Sequence, residues 1–208
     1  MSLSYFTDPG LYIISDTFQT DGTGLLLSLL KSFKKKIAFI SDPGHYSHFN
    51  TLFKKNSLHV IYYELCTNND DLDLPLTEDP PSTWLDPSRR IKPNQVFTDL
   101  SKSPQPVIVL EEILSLYLSL GIHEFISLVN SLRAICEILI IKCDSQLLQR
   151  IWMIESTCDG ILEVLPLQSG FSSDFAGKVH IWKKENYVRM EVAVLWYKIS
   201  NDNFVLVE

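Results

Sequence analysis

The sequence predicts an α/β protein with a mainly parallel central sheet flanked by helices and finished by antiparallel strands. Three observations lead there. Short apolar runs alternate with helical patterns through most of the chain, as in successive βαβ units. Several of those runs, among them Val107-Ile108-Val109-Leu110 and Ile37-Ala38-Phe39-Ile40, are apolar without alternation, which describes strands covered on both faces. After residue 178 the helical patterns stop, and three strand patterns follow one another across the polar turns Glu185-Asn186 and Asn201-Asp202-Asn203.

Taken in order, residues 10–15 form a first strand between Pro9 and Asp16. A polar stretch holding Gly22 and Gly24 leads into Leu25, Leu26, Leu29, Leu30 and Phe33, spaced as one face of a helix. Lys34, Lys35 and Lys36 close that helix, where cations meet the negative end of its dipole. Residues 37–40 are a second strand, Asp42-Pro43-Gly44 a turn, and Tyr46, Phe49, Leu52 and Phe53 a second helix. The β-branched and aromatic run 59–65 is a third strand. Residues 67–93 break the alternation. Their acids and their prolines at 75, 80, 81, 87 and 93 describe a long exposed loop, of a length that is either functional or mobile. A short helix over 94–100 precedes the strand 107–110, and the longest helical pattern, 113–134, is interrupted at Gly121. Strand 137–142, helix 146–155 and strand 160–167 complete the alternating part. No internal repeat is visible, so 1–208 reads as a single domain with 178–208 as an antiparallel C-terminal extension.

Composition narrows the function classes. At 208 residues a core buries roughly 70% of the surface of the unfolded chain, so no disulfide staple is needed. A formal charge of −7, from 25 acids against 18 Lys and Arg, argues against a free-standing non-specific nucleic-acid binder but leaves room for a local basic patch. Cys66, Cys136, Cys143 and Cys158 form no C-x-x-C pair, and the five histidines form no metal-ligand array. The first residues lack the apolar core of a signal peptide, and no apolar run approaches the ~20 residues that span a bilayer. The expectation is a reduced protein without membrane contact, metal or cofactor.

The stretch richest in chemical meaning is the strand 107–110 and the acids that follow it, Glu111 and Glu112. In nucleotide hydrolases of the P-loop class an acid at such a strand end helps hold the magnesium of a triphosphate. The loop that should accompany it, G-x-x-x-x-G-K-[ST], occurs nowhere. Strand one is followed instead by Asp16-Thr17-Phe18-Gln19-Thr20-Asp21-Gly22-Thr23-Gly24 and then leucines, with no lysine at the helix start and with Asp16 and Asp21 to repel phosphate. Glu111 and Glu112 therefore mark a degenerate metal-supporting position. Gly170-Phe171-Ser172-Ser173-Asp174 is not a nucleophile elbow, and its polar residues are turn formers. The cluster Arg89-Arg90-Ile91-Lys92 could touch a phosphate backbone, although a solvated loop balancing its acids accounts for it as simply. Trp182, Val192, Val194 and Trp196 are candidates for core or for a subunit interface.

Three segments resemble one family, Elongator complex protein 6, a RecA-like accessory subunit without a phosphate-binding loop. Residues 106–121 are similar to its buried strand, acidic pair and Leu-Ser-rich helix. Residues 167–182 match its Gly-Phe, Asp and Gly spacing before the C-terminal hairpin, and His45-Tyr46-Ser47 is a weaker third match. Residues 67–93 align with no family motif. The resemblance implies a RecA-like fold and a non-enzymatic subunit that pairs with Elongator proteins 4 and 5, two copies of each, in a heterohexameric ring. That ring binds tRNA and assists modification of the wobble uridine, U34. The implied location is the cytoplasm, with the nucleus as a second compartment. Arg89, Arg90 and Lys92 are the candidate RNA contacts. Two rivals stay open: an ATPase with an atypical phosphate site, and a RecA-type recombination paralogue that binds DNA.

Overall fold

The computed structural model describes residues 6, 8–17, 19–42, 44–66, 85–111, 113–167, 174–185, 188–200 and 203–207. In chain order the elements are β1 (Gly10–Asp16), α1 (Thr23–Phe33), β2 (Ile37–Ser41), α2 (Tyr46–Asn56), β3 (Val60–Leu65) and β4 (Leu85–Ile91). Then come α3 (Val96–Lys102), β5 (Val107–Glu111), α4 (Leu114–Ile135), β6 (Ile138–Asp144), α5 (Ser145–Arg150) and α6 (Trp152–Thr157). Four strands close the chain: β7 (Gly160–Pro166), β8 (Gly177–Glu185), β9 (Val188–Ser200) and β10 (Asn203–Val207). By packing, the chain divides into two compact units, 1–33 with 141–208 and 34–140.

In the first unit β1 is buried along its whole length and pairs in parallel with β7, Tyr12 opposite Gly160 and Ser15 opposite Glu163. β7, β8, β9 and β10 then follow as an antiparallel meander, the arrangement expected for the C-terminal extension. The second unit carries a parallel row in the order β5-β2-β3-β4, with Ile37 opposite both Val107 and Val60. Its strands β2 and β5 are buried at every position, which is why their sequences show no alternation. An aromatic cluster holds α2 on this row: the Phe39 ring centroid lies 4.7 Å from Phe49, 5.0 Å from Phe53 and 5.9 Å from Tyr62. Each such side chain contributes about 2 kcal/mol by leaving water.

Three expectations change. Residues 85–91 are not part of an exposed loop; they form β4, parallel to β3. Pro87 hides the strand in the sequence. Here it falls where the register slips, Asp86 facing Ile61 and Arg89 facing Tyr63, so three steps on β4 match two on β3 and the missing N–H is absorbed. Residues 67–84 lie outside the described residues. Lys34 to Lys36 lie beyond α1 rather than in its last turn, because Lys34 takes a left-handed φ of 49° and stops the helix at Phe33. The predicted helix 146–155 is two short helices separated by Ile151, and Asp144 caps the first by accepting from the Leu147 N–H at 2.7 Å. Gly121 does interrupt the long helix as expected, with φ 75° and ψ 168° inside α4.

Candidate functional site

In the first unit the chain leaves β1 at Asp16 and returns to helix at Thr23. This is the place where P-loop proteins present backbone amides to phosphate. Here five amides of the loop donate to the loop's own oxygens. The Gly22 N–H donates to Asp16 Oδ2 at 2.9 Å, and the Thr23 N–H to Asp21 Oδ1 at 2.8 Å. The Thr17 N–H donates to Thr20 Oγ1 at 3.1 Å, the Gln19 N–H to Thr17 Oγ1 at 3.3 Å, and the Thr20 N–H to the Thr17 carbonyl at 3.0 Å. The Thr20 hydroxyl in turn donates to the Val164 carbonyl of β7 at 2.8 Å.

A cation does reach this loop, from a strand rather than from the helix. Lys142 of β6 is 2% exposed, and its Nζ lies 3.1 Å from Asp16 Oδ2 and 3.9 Å from Asp21 Oδ1. Burial pushes the Asp16 carboxyl above its usual range, while the Lys142 ammonium and the Gly22 N–H oppose that shift. One oxygen of Asp16, Oδ2, thus meets both the Gly22 amide and the Lys142 ammonium. Phe204 of β10 packs so tightly on Gly24 that a Cβ there would lie 2.7 Å from the Phe204 Cβ. Phe204 is itself stacked on Tyr197 at 4.6 Å.

In the second unit the carboxyl ends of four strands carry a polar row in register. Glu111 of β5 faces Ser41 of β2, Ser41 faces Glu64 of β3, and Glu64 faces Arg90 of β4. Glu111 and Ser41 are essentially inaccessible, at 1% and 0% exposed. His45, just before α2, places Nδ1 3.6 Å from Glu111 Oε2. Glu64 accepts the Gly44 N–H at 2.7 Å through one oxygen and meets Arg90 Nε at 3.4 Å through the other. The Ser41 and Tyr62 hydroxyls are 2.5 Å apart, and burial raises the phenol's pKa, so this pair is a closed structural bond and not an activated nucleophile. Asp42 accepts from the Ser115 N–H at 3.3 Å and anchors the start of α4.

The residues singled out by sequence are thus placed unevenly. Glu111 is the buried end of β5, and Glu112 lies outside the described residues. Arg90 is not a loop cation. It belongs to β4 and is ion-paired with Glu64, while Arg89 stands opposite Tyr63 in the same strand. Lys92 follows the strand, its carbonyl accepting the Gln95 N–H of a short 3-10 turn. Val194 and Trp196 are exposed on the outer face of β9. The sequence reading missed Lys142 and Glu64. The available signal was a lysine and an acid closing otherwise apolar strands, since a buried charge requires an opposite partner. Among the described residues no group of three or more His, Cys, Asp or Glu side chains is arranged to hold a metal ion. Among the same residues no helix is long and apolar enough to cross a membrane.

No family model matches the sequence, and no curated protein matches it. Solved structures do. The flagellar accessory protein FlaH of Methanocaldococcus jannaschii is 13% identical, with a TM-score of 0.61 over 98% of this chain and 91% of its own. The RadB recombinase gives the same identity and TM-score over 98% and 93%. A KaiC-like protein of Pyrococcus horikoshii is 8% identical, with a TM-score of 0.58 over 97% and 90%. These likenesses establish a RecA-like fold: a mixed α/β architecture, mostly parallel in its strands, spanning nearly the whole chain.

Proposed function

We propose that this chain is a non-catalytic RecA-like subunit of the Elongator accessory ring, the role implied by its resemblance to Elongator complex protein 6. In that role it joins Elongator proteins 4 and 5, two copies of each, and supports tRNA binding and wobble-uridine modification without carrying a nucleotide itself. The observation that supports it is the loop after β1: a RecA-like fold in which Asp16, backed by Lys142, takes the amide that phosphate would use. The degenerate position at Glu111 fits the same reading, since its carboxylate is buried and faces His45 at the end of a buried strand. Co-expression with the two partner subunits tests it. A complex with the mass of two copies of each chain is expected, and a monodisperse lone monomer that captures neither partner rejects it.

The likeness to the RadB recombinase favours a second reading, a recombination-type paralogue acting on DNA. Competition between tRNA and single-stranded DNA for the assembled complex separates the two.

A further inference from the structure

Charge on this acidic chain is unevenly distributed. In the second unit the segments preceding β2 and β3 run side by side at the amino-terminal end of the parallel row. Ile37 pairs with Val60, and its N–H donates to the His59 carbonyl at 3.3 Å. Adjacent strands lie about 5 Å apart, so Lys34, Lys35 and Lys36 share an edge with the turn that ends α2, where Lys54 and Lys55 occupy the last helical turn. Arg133, in the last turn of α4, adds to the same edge, and Glu137 just after that helix is ion-paired with Lys35. These cationic residues are all exposed. Both turns are fixed in the left-handed region, Lys34 at φ 49° and Ser57 at φ 53°. The lysines thus project from defined backbone.

Helix dipoles account for Lys54, Lys55 and Arg133, which sit where carbonyls accumulate negative partial charge. Lys34, Lys35 and Lys36 follow the last turn of α1, and of these Lys35 is held by Glu137. The patch also lacks apolar content: among the described residues no exposed large hydrophobic side chain falls in these segments. A surface that inserts into a membrane, or stacks the bases of single-stranded RNA, requires such side chains. Clustered cations without them match a phosphate backbone.

We infer that this edge is the chain's RNA-facing surface and that it grips the phosphate backbone of a duplex stem without reading sequence. The inference deepens the proposed function and rests on its RNA-supporting role. It displaces Arg90 as a contact, because that guanidinium is engaged by Glu64 inside the row.

The test is fluorescence anisotropy of the full-length chain with a labelled RNA stem-loop at several salt concentrations. The variant K34E/K36E/K54E/K55E is expected to weaken binding at low salt by at least about tenfold and to flatten the slope of log K against log salt by roughly three. The corresponding four-arginine variant retains affinity, which controls for folding. Unchanged affinity in the glutamate variant overturns the inference, as does absence of stem-loop binding by the unsubstituted chain at low salt. Tighter binding of phosphatidylserine vesicles than of RNA overturns it in favour of a membrane surface. Capture of the two partner subunits is scored separately. If the glutamate variant loses capture but keeps RNA affinity, the edge is a subunit interface. If the unsubstituted chain never captures them, it is the ring assignment that fails.

Discussion

At the residue scale, the Asp16–Lys142 pair decides what the first loop can do. Both groups are buried, so each is tolerated only because the other is present. Lys142→Met leaves the carboxylate with the Gly22 N–H as its remaining hydrogen-bond donor in this loop. The variant is expected to lose about 3–5 kcal/mol in urea unfolding at neutral pH, and the double change Lys142→Met with Asp16→Leu to recover most of it. The pH dependence has a definite sign. A carboxyl whose folded pKa lies above its ordinary 3.8 holds its proton longer in the folded state. Stability therefore falls as pH rises through that window. The deficit of Lys142→Met should shrink as pH is lowered towards 4. Cys158 offers a second titration: burial pushes its thiol from 9.0 to about 11. Between those values the unfolded chain ionises first, so the native state loses about 1.4 kcal/mol per pH unit from this group. Comparing urea midpoints of the unsubstituted chain and Cys158→Ala from pH 8 to 11 should show a shallower decline in the variant. The sequence revealed Asp16 as hostile to phosphate but not its partner, because the 126 positions separating Asp16 from Lys142 are closed only by the fold.

At the element scale, the long apolar strands were legible because full burial removes alternation, and Gly121 was legible because it interrupts a helix that otherwise keeps its period. Its backbone, at φ 75° and ψ 168°, lies in territory that essentially only glycine occupies. A Cβ there meets nothing within 4 Å, so the cost of Gly121→Ala is conformational and not steric. A loss of about 1–3 kcal/mol is expected in thermal unfolding; no loss would mean that α4 straightens freely through this point. β4 was illegible because Pro87 reads as a loop residue and because Arg90 reads as a surface cation until Glu64 is seen beside it. Removing the guanidinium with Arg90→Met takes the opposite charge away from the Glu64 carboxylate, which is 5% exposed and keeps the Gly44 N–H. The expected cost is about 3 kcal/mol, and RNA affinity should be unchanged if the lysine edge carries that contact. The row Glu111–Ser41–Glu64–Arg90 was thus half visible in sequence. Glu111 stood at the end of an obvious strand, whereas its neighbours in register depend on three separate strand pairings.

At the scale of the whole molecule, a RecA-like fold and a nucleotide site are separable properties. Under the proposed function the chain keeps the first while its own side chains fill the second. That separation gives a prediction with little room for compromise. A ligand that binds only the native state adds RT ln(1 + [L]/Kd), about 2.7 kcal/mol at a concentration of 100 Kd. For a protein of this size each kcal/mol raises Tm by roughly 2–4 °C. A working triphosphate site saturated a hundredfold with ATP and magnesium would therefore shift Tm by about 5–10 °C. With the Gly22 and Thr23 amides already donating to Asp16 and Asp21, and with Phe204 packed on Gly24, a shift below about 1 °C is expected from the isolated chain. Glu111→Gln should leave that result unchanged, because a metal-supporting acid matters only where a phosphate-bound metal is present. A magnesium-dependent shift of several degrees that disappears in Glu111→Gln would instead identify an atypical ATPase. The RecA-like fold would then be serving chemistry.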